Sequence, residues 1–262
     1  MNLDLAGKRV LVTGASKGIG LAVVRAFLDE GAVVSAVSRR STPELDATTA
    51  TFVSADLADP DGPRRMVETV LAADPRLDIL INNVGGGTTT AEAMADPLDG
   101  DDDLWSEVYA LNLFATVRTT RHALPALTRS RGAIVNISSN SARAPFGTPL
   151  AYTSAKGALN TFSRGLAEKV AADGVRVNVV TPGGTHTDLM AGKDGYLATV
   201  ATTMGIDHAV LLAAMPANGG MLTGTLIDPA EIARAVLLLA SPVMPSTIGE
   251  IWAVDAGSVK AV

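Results

Sequence analysis

Short apolar runs alternate with stretches of helical spacing along the whole chain. Lys8 to Thr13 carries Val10-Leu11-Val12 and ends at Gly14, the pattern of a buried strand. Leu21 to Leu28 follows at helical spacing, and Gly31 stops it in the position of a helix-ending glycine. Ala32–Val37 is a second strand and Thr51–Ser54 a third. Pro60 to Ala73 predicts a helix with Met66, Val67, Val70 and Leu71 inward, and Leu77–Ile81 a fourth strand. A long helix is expected from about Leu104 into Arg121, then a strand over Ala133–Ser138 and a helix from about Leu150 to Ala172. Val175–Val180, a helix over Pro229–Ala240 started by Asp228-Pro229, and a strand over Ile248–Val254 complete the pattern. Strand, helix, strand in unbroken alternation predicts an α/β fold: a doubly wound, Rossmann-like three-layer sandwich. Its seven-stranded sheet should be mostly parallel. With no linker or repeat, residues 1–262 read as a single domain, carrying a substrate-loop insertion at about 188–223.

Composition narrows this picture. At 262 residues with 47% hydrophobic and 18% charged side chains, the chain can bury a real core. Aromatics are 4%, so that core is aliphatic. A net charge of −6 without a basic block lacks the electrostatic footprint of nucleic acid binding. No cysteine is present, which removes disulfides, thiol nucleophiles and Cys-ligated metals. Met1-Asn2-Leu3-Asp4-Leu5 does not read as a signal peptide, and no apolar stretch approaches a membrane span, so a cytoplasmic protein without a membrane partner is expected. The acidic run Asp96–Asp103 reads as a solvated loop and a dipole-stabilised helix start; metal ligation lacks partner ligands there.

Three features carry chemistry. First, Gly14-Ala15-Ser16-Lys17-Gly18-Ile19-Gly20 sits between a strand and a helix, where glycines let a pyrophosphate approach free helix N–H groups. Second, the second strand ends in Ser38-Arg39-Arg40 rather than in a carboxylate. Arg39 with Lys17 could hold a ribose 2′-phosphate, which points to NADP(H) rather than NAD. Asp56, followed by Leu57 at the third strand end, could accept from an adenine amino group or simply cap a turn. Asn82-Asn83-Val84-Gly85-Gly86-Gly87 ends the fourth strand with small residues suited to packing on a cofactor.

Third, Tyr152 and Lys156 lie four residues apart on a helix and so share a face. A nearby cation favours phenolate and lowers a tyrosine pKa from about 10, making Tyr152 a proton donor near neutrality. Ser139, at a strand end thirteen positions earlier, can hydrogen-bond the same substrate oxygen; Ser138 is its neighbouring alternative, and the spacing favours Ser139. Asn112, a poor helix-interior residue, predicts a distortion or a buried polar role within the long helix.

Taken in order, Thr13 to Gly20, Asp56, Asn82-Asn83-Val84-Gly85, Asn112, Ser139, Tyr152-Thr153-Ser154-Ala155-Lys156, and Pro182-Gly183 with Thr187 resemble the short-chain dehydrogenase/reductase family of the common, single-domain type. The resemblance spans nearly the whole chain. It implies Tyr152 as acid–base, Ser139 as the group polarising the carbonyl, and Lys156 as lowering the Tyr152 pKa and holding the nicotinamide ribose. It implies a proton relay through Asn112, and contacts of Thr187 and the backbone near Thr185 with the nicotinamide carboxamide. A homodimer or homotetramer is implied in the same way. Val84, Thr185 and Ala256 depart from the usual alanine, Ile or Val, and glycine of that pattern.

The function expected is NADP(H)-dependent hydride transfer between the nicotinamide and a carbonyl or secondary alcohol. The Met-rich segment Asp188–Thr223 suits an apolar or bulky substrate. The alternatives are a non-catalytic NADP-binding sensor or scaffold, and epimerase or dehydratase chemistry on the same fold. His122, His186 and His208 form no metal-spaced cluster, though His186 falls close to the expected cofactor site.

Overall fold

Seven parallel strands form one sheet in the order β3-β2-β1-β4-β5-β6-β7 in this computed structural model, which describes residues 1–86, 96–145 and 148–260. Gly87 of the loop after the fourth strand, and Gly147 before the Tyr152 helix, lie outside the described residues. The strands are β1 (Arg9–Thr13), β2 (Val33–Ser38), β3 (Thr51–Ser54), β4 (Ile79–Asn82), β5 (Ala133–Ile137), β6 (Arg176–Pro182) and β7 (Ile251–Val254). All of their pairings are parallel, so every carboxyl end opens on one edge of the sheet. The order reverses at β1, and β1 and β4 diverge into the crevice where ligands of such sheets sit.

Side-chain alternation along the strands builds two cores, one on each face of the sheet. Val10 and Val12 of β1 face α1 (Gly18–Asp29), together with Val34, Ile79, Ile81, Val135 and Val180. The opposite face carries Leu11, Val37, Leu80, Ile134 and Val177. Between these elements run a short α2 (Pro43–Asp46), α3 (Gly62–Ala73) and α4 (Asp102–Tyr109). Met66 and Val67 of α3 face the second core and are fully buried, while Val70 and Leu71 are only partly so.

The helix expected up to Arg121 is longer and broken in kind. It starts at α4, widens into a π turn over Ala110–Phe114, and continues as α5 (Ala115–Ser130), through Pro125. Asn112 lies in the π turn and is 0% exposed. Its Nδ2 donates to the Val108 carbonyl at 2.9 Å, four residues back, within the widened turn. The distortion that a mid-helix asparagine predicted is therefore there, together with the buried polar role.

α6 (Leu150–Val170) carries Tyr152 and Lys156 and packs along β6. Residues 188–223 form α7 (Asp188–Ala191), α8 (Tyr196–Met204) and α9 (His208–Asn218), followed by α10 (Pro229–Ala240). α10 lies beside α1 under the first core. Its last carbonyls are capped from outside: Arg176 Nη1 donates to Leu239 O at 2.8 Å, and Nη2 to Ala240 O and Ser241 O. β7 begins three residues later than the apolar run suggested. Gly249 takes φ +72°, and the Glu250 N–H turns to the Asn178 side chain, so neither extends the strand. No single described helix is long and apolar enough to cross a membrane. The α7–α9 hairpin matches a span in composition but bends by 102°.

Candidate active site

β1 hands over to α1 through the glycine turn. Gly14 takes φ +64°, and a Cβ there would lie 2.9 Å from Asn83 Nδ2; a Cβ on Gly20 would collide with the Gly14 carbonyl. Lys17 is the N-cap of α1 and makes no side-chain cap, so the first amides of the helix remain available to an anion. Lys17 itself is exposed. Ile19 is partly buried and packs against the first core. Ser16 is held from behind, its carbonyl accepting from Thr42 Oγ1 at 2.8 Å. The turn is thus shaped as a cradle that a dinucleotide pyrophosphate fits.

Asn83 does something the sequence did not show. Its Nδ2 donates to the carbonyls of Thr13 and Gly14, at 3.1 and 3.0 Å. Thr13 Oγ1 in turn accepts from the N–H groups of Asn83 and Val84. The two residues rivet the ends of β1 and β4 together, so Asn83 shapes the cradle. At the end of β2, Ser38 Oγ donates to the Arg40 carbonyl at 2.7 Å, while Arg39 and Arg40 are exposed and form no ion pair among the described residues. Asp56 Oδ1 caps the following turn, accepting the Ala58 N–H at 3.0 Å. Leu57 is buried in the second core.

Ser139, Tyr152 and Lys156 come together beyond the end of β5. Lys156 is 3% exposed; its Nζ donates to the Ile137 carbonyl at 3.0 Å and lies 5.7 Å from the Tyr152 ring centroid. Burial pulls its pKa down to about 8. Burial pushes the Tyr152 phenol above its ordinary value, and hydrogen bonding with Ser139 draws it back. This corrects the sequence expectation that Lys156 lowers the Tyr152 pKa. The ammonium lies over the ring and is bonded to a backbone carbonyl, so desolvation of the phenol dominates and the serine is the group that opposes it. Ser138, the rival serine, is buried and donates to the Lys156 carbonyl at 3.3 Å, so it sets the seat of α6 and leaves Ser139 for the cleft.

Asn112 joins this group through the loop after β4. Its Oδ1 accepts from Gly86 N at 3.1 Å and its Nδ2 donates to Gly86 O at 2.8 Å. Gly85 passes so close that a Cβ would stand 2.8 Å from Asn112 Oδ1 and 3.0 Å from Lys156 Nζ. Asn112 and Lys156 therefore flank one glycine, adjacent without a direct bond.

Beyond β6, Gly183 N donates to Val254 O, and Thr185 Oγ1 donates to Gly183 O at 2.9 Å. Thr185 is buried and knits its own loop, with Pro182 at the strand end. Thr187 caps α7 by accepting from Met190 N, and its methyl group lies against Gly18. His186 is exposed. It borders an open groove of about 590 Å³ between α1 and α10, lined also by Arg25 and Arg234, which does not reach Ser139 or Tyr152.

A family model described as short chain dehydrogenase matches residues 8–195. The chain belongs to the short-chain dehydrogenase family. It is an oxidoreductase of that family, whose members use nicotinamide cofactors. It is 33% identical over 261 residues to 2,3-dihydro-2,3-dihydroxybenzoate dehydrogenase of Escherichia coli, covering 98% of each chain. L-sorbose reductase of Gluconobacter frateurii, solved with NADPH and L-sorbose, superposes with a TM-score of 0.88 at 28% identity over 100% of both chains. The Pseudomonas aeruginosa RhlG/NADP complex gives 0.83 at 27%, covering 98% of each.

Proposed function

We propose that this short-chain dehydrogenase is an NADP(H)-dependent ketoreductase acting on an apolar or bulky carbonyl compound, with the secondary alcohol as its product. The convergence of Ser139, Tyr152 and Lys156 at the carboxyl edge of the sheet carries the reading. The bound nicotinamide supplies or accepts the hydride. Tyr152 gives its phenolic proton to the carbonyl oxygen as that oxygen gains charge, and takes one back in oxidation. Ser139 donates a hydrogen bond to the same oxygen, stabilising the developing alkoxide. Lys156 is placed to replenish the Tyr152 proton, being buried beside it and close to neutral in pKa. The Asn112–Gly86 clamp holds the loop that borders this path.

Cofactor choice rests on the end of β2. Arg39 is exposed and without a carboxylate partner among the described residues, and Lys17 is exposed in the glycine turn. Two cations and no acid suit a 2′-phosphate. The cofactor complexes of the sorbose reductase and of RhlG support this choice. The apolar substrate rests on α8 and α9, whose residues 196–218 include one charged side chain, Asp207. A homodimer or homotetramer belongs to the same proposal and is read by light scattering.

The test is NADPH oxidation against a panel of ketones, and NADP or NAD reduction against secondary alcohols. Tyr152→Phe should abolish turnover and keep NADPH binding; retained turnover overturns the assignment. Arg39→Asp should move preference toward NAD, and an unchanged preference removes the NADP reading. Product formed without net change in NADPH absorbance would mean epimerase or dehydratase chemistry instead.

A further inference from the structure

The loop bearing Ser139 contains a second hydroxyl that the reaction scheme leaves unused. Ser139 caps a short 3₁₀ turn over Asn140–Ala142, its Oγ accepting the Ser141 N–H at 3.1 Å. Ser141 Oγ lies 2.9 Å from Ser139 Oγ. Ser141 is 4% exposed, and its hydroxyl has no other partner among the described residues.

A serine hydroxyl has one proton to give and two lone pairs to fill. If Ser139 donated to Ser141, the Ser141 proton would be buried without an acceptor among the described residues, an arrangement that folded proteins avoid. The proton between the two oxygens therefore belongs to Ser141. Ser139 Oγ then accepts twice, from the Ser141 N–H and the Ser141 O–H. Both of its lone pairs are occupied, and its own proton has to point elsewhere.

Asn140 frames the remaining direction. Its Nδ2 donates to Ser258 Oγ at 2.9 Å, which turns Oδ1 back toward Ser139 at 3.5 Å. A contact that long is a weak acceptor, easily left for a better one. The opposite amide orientation would aim a third donor at an oxygen already accepting two. Ser258 is itself held in place: the Asp255 carboxylate accepts from Gly257 N and Val259 N, both at 3.0 Å, and Gly183 packs against Asp255.

We propose that Ser141 is a positioning residue: by donating to Ser139 Oγ it makes Ser139 an obligate hydrogen-bond donor toward the substrate oxygen. The inference rests on the reading of Ser139 as the group that polarises the carbonyl. Without Ser141, Ser139 is free to rotate into acceptor orientations, in which it offers a lone pair to an oxygen gaining negative charge. Cofactor binding is not involved. The upward shift of the Tyr152 phenol, opposed by Ser139, fits a serine whose proton is turned toward the cleft.

The experiment is a double-mutant cycle on the full chain, with NADPH and 9,10-phenanthrenequinone, a flat apolar diketone, as the probe. Ser139→Ala should lose on the order of a hundredfold in kcat, as removal of an oxyanion donor does. Ser141→Ala should lose about tenfold in kcat, with the NADPH KM within about twofold of wild type. Ser141→Thr, which keeps the hydroxyl, should recover most of that loss. In the Ser139→Ala background, Ser141→Ala should cost nothing more, because its only route to the reaction is gone. The same tenfold loss in that background overturns the inference, since it would show a structural role. Unchanged kcat in the single variant overturns it too. Should Ser141→Ala fail to fold, Ser141→Cys, a weak donor, takes its place with the same expectations. Full activity in Ser139→Ala, or no turnover of the diketone by wild type, removes instead the reading on which the inference rests.

Discussion

At the scale of single residues, the buried Lys156 links the chemistry to stability. Its pKa is about 8 in the folded chain against 10.5 when free. A base depressed in this way costs stability wherever both states are protonated, and the cost is relieved as pH rises between the two values. The penalty is about 3 kcal/mol by linkage, full below about pH 8 and gone above about 10.5. Lys156→Met has no such window. Between pH 8 and 10.5 the stability difference should therefore move in favour of wild type, and denaturant unfolding at stepped pH reads it; a constant difference contradicts it. A second residue carries strain of another kind. Ala256, in a position where the family pattern has glycine, takes φ +55°. A left-handed alanine costs about 1–2 kcal/mol, partly offset by the lower unfolded-state entropy of alanine. Ala256→Gly should raise stability by up to about 1 kcal/mol, measured by its unfolding midpoint.

At the scale of elements, the π turn decides which way Asn112 points. Asn112→Ala removes the side-chain partner of the Gly86 N–H and of the Gly86 and Val108 carbonyls. A loss of about 2–3 kcal/mol is expected, with kcat falling because the loop beside Lys156 is released. A fall in stability without any fall in kcat would show that the clamp is structural only. The strands and major helices were legible because each buries an apolar run or stripe of ordinary period. Asn112 announced a break in its helix, because asparagine serves a regular helix interior poorly. What stayed hidden depends on tertiary pairing. The Thr13–Asn83 rivet joins residues seventy positions apart, and Thr13 looks like any strand end. The sign of the Tyr152 shift was misread for the same reason: periodicity brings phenol and ammonium together, but it does not report how deeply both are desolvated. Ser141 drew no reading from the sequence because its partner is defined only by the turn geometry.

At the scale of the whole molecule, the two cores share one sheet and no linker separates them. We propose that residues 1–262 form one cooperative unit, with residues 188–223 as an insertion within it. Calorimetry should show a single transition with matching calorimetric and van't Hoff enthalpies; two separable transitions would make the α7–α9 segment an independent unit. The ion pairs contribute little to this cooperativity: the six pairs among the described residues involve partly exposed side chains, whose attraction solvent screens. The strand order has a further consequence, for biosynthesis. β1 is made before the two strands that flank it, β2 and β4. The glycine turn and the Asn83 that rivets it are thus translated long before Ser258, the anchor of Asn140, which emerges 118 residues after that asparagine. Since α1 packs on α10 within one cooperative unit, neither end of the site closes until both are made. Chains cut short in β7 should therefore lose NADPH binding together with turnover.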